Sequence, residues 1–221
     1  MKKGISKEKI IDKALEIIKD SQDFSGVNLR VVARELGCAH TNLYNYFSNF
    51  DQLLYEVYIK VLSIFSEKIN GKISGTDDFT ILLNKFFSEI VDFYLTNRGW
   101  FRLLWMEPIG GVYREKSYLG AARSVDHSVY LLEQAIMKSS CKTPATGQLK
   151  NLVHVVHCYI YGEVSLYIAN HSFIQDDPNV LKSAKIIPFT NDTSLAAEAS
   201  FRKYVVDEAM EVFLLFLSKK G

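Results

Sequence analysis

The chain has 221 residues, 48% of them hydrophobic and 13% aromatic, which excludes a disordered chain and leaves ample material for a second core beyond a head of about 50 residues. No apolar run approaches the ~18 residues that span a bilayer, and the amino end, MKKGISKEK, lacks the apolar core of a signal peptide, so a cytoplasmic protein without membrane partners is expected. Cys38, Cys141 and Cys158 are odd in number, far apart and form no C-x-x-C, which argues against a disulfide framework and a structural zinc site.

In chain order, Ser6 can cap a first helix whose stripe is Ile10, Ala14, Ile17 and Ile18, with Ile11 and Leu15 beside it. Asn28 then caps a short helix carrying Leu29, Val32, Ala33 and Leu36 on one face. Gly37 ends it, four residues after the small Ala33, as a close helix crossing and an αL turn require. A second short helix comes next, through Asn42, Leu43, Tyr44, Tyr46 and Phe47. Leu43 and Phe47 share a face and can dock on the first, leaving His40, Thr41, Asn42, Tyr44 and Asn45 outside. This is a helix-turn-helix. Asn49 with Gln52 resembles a capping box that opens a helix of about 20 residues, long enough to carry the chain into a second domain.

GKISGTDD, residues 71–78, breaks that helix. Phe79, Leu82, Phe86, Ile90, Phe93 and Tyr94 mark the next, which the Asn97 to Gly99 turn ends. A short aromatic segment, Trp100 to Glu107, stops at Pro108, Gly110 and Gly111. Three long helices are expected at about 114–139, 146–170 and 194–219, with a largely irregular 171–193 between the last two and a single helical turn at Asp177 and Pro178. The chain is therefore all-α, divided into a DNA-binding head, 1–60, and a helical body, 61–221.

The net charge is only +1, and residues 1–60 carry nine Lys or Arg against eight acids, so non-specific DNA affinity should be weak. A site-specific binder accepts this if Lys2, Lys3, Arg30 and Arg34 cluster toward phosphates. Asn42 and Asn45 can pair with adenine edges, His40 and Thr41 can reach a base or a phosphate, and the Tyr44 hydroxyl can bond a phosphate. With Asn28 and Arg30 these form the candidate DNA contacts, although any one of them can be plain solvated surface. Tyr46 is as suited to packing as to binding.

The segment beginning at Val32, VARELGCAHTNLYNYFSNFDQLL, resembles the amino-terminal signature of TetR/AcrR-type transcriptional regulators, with Leu43-Tyr44 and Tyr46-Phe47 its most diagnostic pairs. The resemblance implies a homodimer with a three-helix head, a fourth helix linking it to a ligand-binding body, and last two long helices that pair with their mates as a four-helix bundle. It also implies DNA contact by Tyr44 and nearby recognition-helix side chains. Two positions depart from the family pattern: Ala39 stands where a Ser or Thr caps the recognition helix, and Phe50 where a lysine opens the fourth helix near a phosphate. Phe50 is better suited to an apolar contact, while the amides at that helix start can still face a phosphate.

In the body, Phe86, Tyr94, Trp100, Trp105, Met106, Tyr118 and Tyr161 can line an apolar cavity for a small organic effector, with His127, His154, His157 or Glu163 as polar contacts. Each is equally at home as packing. His154, His157 and Cys158 share a helix face without further ligands at diagnostic spacing, so no metal is expected. Nothing resembles a nucleophile elbow, a phosphate loop or paired carboxylates in a cleft, so neither catalysis nor a cofactor is expected. Gly162, Ser165 and Ala169 form a small-residue strip where a helix can approach, from a mate or from the same subunit; Val205, Val212 and Phe216 are the matching candidates on the last helix.

The expected function is a homodimeric repressor released from a pseudo-palindromic double-stranded operator by an apolar or aromatic effector. Two alternatives stand beside it. One is a helical small-molecule-binding protein or enzyme with an incidental helix-turn-helix, and the other a regulator controlled by a protein partner.

Overall fold

The computed structural model describes residues 5–21, 26–73, 78–139, 144–169 and 195–218. The expectations for 171–193, for the Asp177 and Pro178 turn, and for Lys2 and Lys3 lie outside the described residues. Among the described residues the chain is helical throughout, without a strand. In order, the helices are α1 (Lys7–Asp20), α2 (Leu29–Glu35), a 3-10 helix (His40–Asn45), α3 (Phe50–Ile73), α4 (Phe79–Thr96), α5 (Arg98–Trp105), α6 (Tyr113–Lys138), α7 (Thr146–Ile168) and α8 (Leu195–Ser218). The helix expected to stop before Gly71 runs on to Ile73, because the glycine meets no neighbouring atom and merely weakens the last turn.

The chain divides into two compact units, Met1–Glu67 with Thr96–Val125, and Lys68–Leu95 with Asp126–Gly221. The first unit thus extends past residue 60 and takes in α5 and the front half of α6. Its core is formed by Ile10, Ala14 and Ile18 of α1, Val32 and Ala33 of α2, Leu43, Phe47, and Leu53, Val57 and Val61 of α3, all buried. Ser6 caps α1 by accepting from Lys9 N, as its position predicts. The Lys60 ammonium bridges Glu8 and Asp12 at 2.7 and 2.6 Å, and Lys7 meets Glu56 at 2.5 Å, so α1 is tied to α3 by exposed ion pairs around an apolar seam.

α5 closes the other side of this unit. The Trp100 indole N–H donates to the Leu15 carbonyl at 2.9 Å, and the Lys19 ammonium lies 5.3 Å from the Trp100 ring centre. Gly99 faces α1 so closely that a Cβ there would fall 1.7 Å from the Ile18 carbonyl oxygen. Glycine at this position therefore reports a backbone-to-backbone approach, and it lies within α5 instead of terminating α4.

The second unit is built on α4, the rear of α6, α7 and α8. Phe86, Phe87, Tyr94, Leu132, Ile136, Val156, Ile160, Phe201, Ala209 and Phe213 are among its buried residues. The Tyr167 and Phe201 rings stack at 4.2 Å, which places the end of α7 beside the start of α8 and makes the two helices antiparallel neighbours. An Arg202–Asp92 ion pair at 2.9 Å joins α8 to α4.

Candidate nucleic-acid interface

The Asn28 carboxamide oxygen accepts from Arg30 N at 3.0 Å and Val31 N at 3.1 Å, which fixes where α2 begins. At its other end Gly37 adopts φ +65, and the amides of Gly37 and Cys38 donate to Arg34 O and Ala33 O. These paired bonds are a Schellman turn, and the left-handed φ is what glycine supplies without steric cost. The chain therefore re-enters at a fixed angle.

Beyond the turn the chain forms a 3-10 helix of six residues instead of the expected α-helix. Ala39 offers it no side-chain cap, so the segment starts on the Asn42 N to Ala39 O bond alone, and short uncapped segments favour the tighter winding. Leu43 and Phe47 are both fully buried and pin the segment to the unit's core. His40, Thr41, Asn42, Tyr44 and Asn45 are all exposed, Tyr44 at 53%. Three-residue winding stacks Asn42 over Asn45 and Thr41 over Tyr44 on the outer side. The His40 and Tyr44 rings meet edge to face at 6.3 Å. Asn28 and Arg30 are exposed at the start of α2, although the Asn28 oxygen is already occupied by the cap. Tyr46 resolves as a brace, since its hydroxyl donates to the Ile5 carbonyl at 2.5 Å.

Arg34 is paired with Glu35 at 3.3 Å, and Phe50 is half-buried. Asn49 accepts from Gln52 N at 2.9 Å, whereas Gln52 Oε1 accepts from Ser48 N and Ser48 Oγ, one residue before the position a standard capping box uses. The α3 start is thus satisfied by side chains from both directions.

The nine effector candidates separate. Trp100, Trp105, Met106 and Tyr118 fall in the first unit, and Phe86, Tyr94, His127, His157 and Tyr161 in the second. Trp100 is corrected from pocket lining to anchor of α1, because its indole N–H bonds the Leu15 carbonyl; Trp105 sits edge to face with Phe65 at 6.4 Å. Met106, Tyr118 and His127 are exposed, Tyr118 at 74%. Tyr94 and His157 are brought together, hydroxyl to Nε2, at 2.7 Å. Burial, with a smaller contribution from His154, lowers the His157 pKa to about 4, so the ring is neutral near pH 7. Nearby on α7, burial and then the Glu208 charge raise the Glu163 carboxyl above the usual range, and burial raises the Tyr159 and Tyr204 hydroxyls.

Among the interface candidates, Gly162 and Ser165 are half-buried and Ala169 is exposed. Ser165 Oγ donates to the Tyr161 carbonyl. Val212 is 40% exposed and Phe216 half-buried, but Val205 is fully buried in its own subunit and is corrected from interface to core. α8 is apolar on more than one face, and periodicity alone does not say which face the subunit itself uses. Sequence reasoning missed Gly99, whose only signal was a glycine directly before the aromatic Trp100.

A helix-turn-helix head carrying an exposed recognition segment, with a separate helical unit, defines the class. No protein-family model matches the chain. It is similar to an uncharacterized HTH-type transcriptional regulator of Haemophilus influenzae, 29% identical over 138 residues, which are 61% of this chain and 66% of that protein. Among solved structures, the TetR-family regulator PfmR of Thermus thermophilus superposes with a TM-score of 0.59 at 15% identity, covering 91% of this chain and 97% of that one. The TetR-family protein ActR of Streptomyces coelicolor, solved in complex with actinorhodin, does so with a TM-score of 0.55 at 14% identity, covering 97% and 99%. The chain has the TetR-family fold. Among the described residues, no helix is long and apolar enough to cross a membrane.

Proposed function

We propose that this protein is a cytoplasmic, non-enzymatic transcriptional regulator that binds a pseudo-palindromic operator as a homodimer and leaves it when a small apolar or aromatic effector binds. The observation that carries this reading is the exposed row His40, Thr41, Asn42, Tyr44 and Asn45 on a segment locked by Leu43, Phe47 and the Gly37 turn. A rigid short helix with its polar side outward is the geometry that reads base edges in a major groove. Arg30 adds a cation at the start of α2.

The small-residue strip on α7 and the exposed Val155, Val212 and Leu215 support pairing with a second copy. In the second unit, Tyr94 and the neutral His157 supply a donor and acceptor among aromatic neighbours, which suits an uncharged or weakly polar ring compound. ActR, similar in fold, was solved with actinorhodin, which makes a small-molecule effector reasonable here. The effector shifts the population toward a conformer whose heads are wrongly spaced, with α3 as the lever.

The test is selection of bound duplexes from a random pool, followed by mobility shift with the enriched site. A two-fold-related sequence should emerge, and Asn42→Ala or Tyr44→Ala should weaken binding several-fold without loss of helicity. Unchanged binding by both variants would remove the assignment. A thermal-shift screen of metabolites and drugs, with release of DNA by the hits, tests the effector.

A further inference from the structure

α1 is held at both ends. At its beginning, Ile5 takes the Tyr46 hydroxyl at 2.5 Å and the Lys7 ammonium lies 5.8 Å from the Phe47 ring centre, so it touches the end of the recognition segment. At its far end, Leu15 takes the Trp100 N–H at 2.9 Å and Ile18 abuts Gly99. Fourteen helical residues, about 21 Å, separate these grips as a stiff rod.

α5 is joined as tightly to α4. A single residue, Asn97, buried at 6%, separates Thr96 from Arg98, and its carbonyl already accepts the first α5 bond from Phe101 N at 2.9 Å. Tyr94, which bonds His157, stands five residues before Gly99 and six before Trp100. A displacement of the α4 end therefore meets almost no slack before it reaches the α1 grip.

We infer that α5 is a second line of transmission to the recognition segment, in which Gly99 and Trp100 act as positioning residues that hold α1 and the Tyr94–His157 bond sets where α4 delivers them. This route is separate from α3, and only its DNA arm rests on the reading of the chain as an operator binder. It makes residues from outside the helix-turn-helix responsible for the recognition segment's placement.

The test is a double-mutant cycle on the full chain, with amide hydrogen exchange in α1 as readout. Tyr94→Phe removes only the hydroxyl, and Trp100→Phe removes the N–H while keeping an aromatic ring. Rates are compared with the slowest amides of the same chain, which report global opening. Trp100→Phe should speed exchange at the carboxyl end of α1 about fivefold, the ratio that one hydrogen bond of ~1 kcal/mol represents. Tyr94→Phe should also speed it, and should do so no further once Trp100→Phe is present. A Tyr94→Phe effect that is absent from α1, or that multiplies with that of Trp100→Phe, overturns the inference and leaves Trp100 a local packing residue. Operator affinity of the same four proteins should show the same non-additivity. If the wild type enriches no duplex, the regulator reading fails, while the exchange cycle still decides the linkage.

Discussion

The Tyr94 hydroxyl and His157 Nε2 lie 2.7 Å apart inside the second unit, joining α4 to α7 through a bond between a fully buried phenol and an imidazole that burial keeps neutral. The imidazole pKa is about 4 in the folded chain against an ordinary 6.5. The unfolded chain therefore binds the extra proton first as pH falls, and the contribution to stability is complete above pH 6.5 and is lost between 6.5 and about 4. The loss amounts to about 3 kcal/mol. Denaturant titrations across that window should show the slope in the wild type, and its removal in His157→Gln, whose amide can still meet the hydroxyl. Equal slopes in the two proteins would contradict the assignment.

Asn28 is a candidate for DNA contact, and the structure gives its oxygen two amide partners at the start of α2. Asn28→Ala should cost about 1 kcal/mol of stability through the lost cap. Asn28→Asp keeps the cap and puts a negative charge at the helix start, which is favourable for folding but repels phosphate. We expect Asn28→Asp to melt within a degree or two of the wild type yet bind operator several-fold more weakly, with the difference shrinking at high salt. Equal affinity at low salt would place Asn28 away from the DNA.

Gly99 and Gly71 make a matched pair of helical glycines. A Cβ at Gly99 meets the Ile18 carbonyl at 1.7 Å, while one at Gly71 meets nothing within 4 Å. Gly99→Ala should force α5 off α1 and cost at least about 3 kcal/mol, because the obstacle is backbone and cannot rotate away. Gly71→Ala should be neutral or stabilising by up to ~1 kcal/mol. Paired thermal melts decide, and a Gly99→Ala protein as stable as the wild type would show that the α1–α5 contact is loose.

Local rules make much of the head legible. Asn28, Gly37, Ser6 and Asn49 each act within three or four residues of themselves, and the structure uses all four where their chemistry places them. The 3-10 winding after Ala39 is the visible outcome of the missing cap. What periodicity does not carry is which surface a long apolar helix turns inward. Val205 reads as a partner-facing residue and is closed inside its own subunit, and Trp100 reads as pocket lining and is bonded to α1. Both depend on contacts 85 residues apart, as for Trp100 and Leu15, or on a second helix. The three crossings of the chain between units, at 67, 95 and 125, likewise fall within or beside continuous helix and leave no break in composition to read.

The small-residue strip on α7 yields the sharpest test of pairing. Gly162 lies inside that helix, and a Cβ added there meets nothing within 4 Å of its own chain; the same holds for Gly147 in the first turn. Within one subunit, alanine at either site should therefore be tolerated, and at the interior site should stabilise the helix by up to ~1 kcal/mol. If a second copy's helix approaches over the strip, the Gly162→Ala methyl falls in the seam and that of Gly147→Ala stays clear of it. Sedimentation equilibrium should then show Gly162→Ala dissociating at least about tenfold more readily, equivalent to ~1.4 kcal/mol, with Gly147→Ala unchanged. Dimers of equal strength in both variants would move the seam away from Gly162 and toward the exposed Val212 and Leu215 of α8.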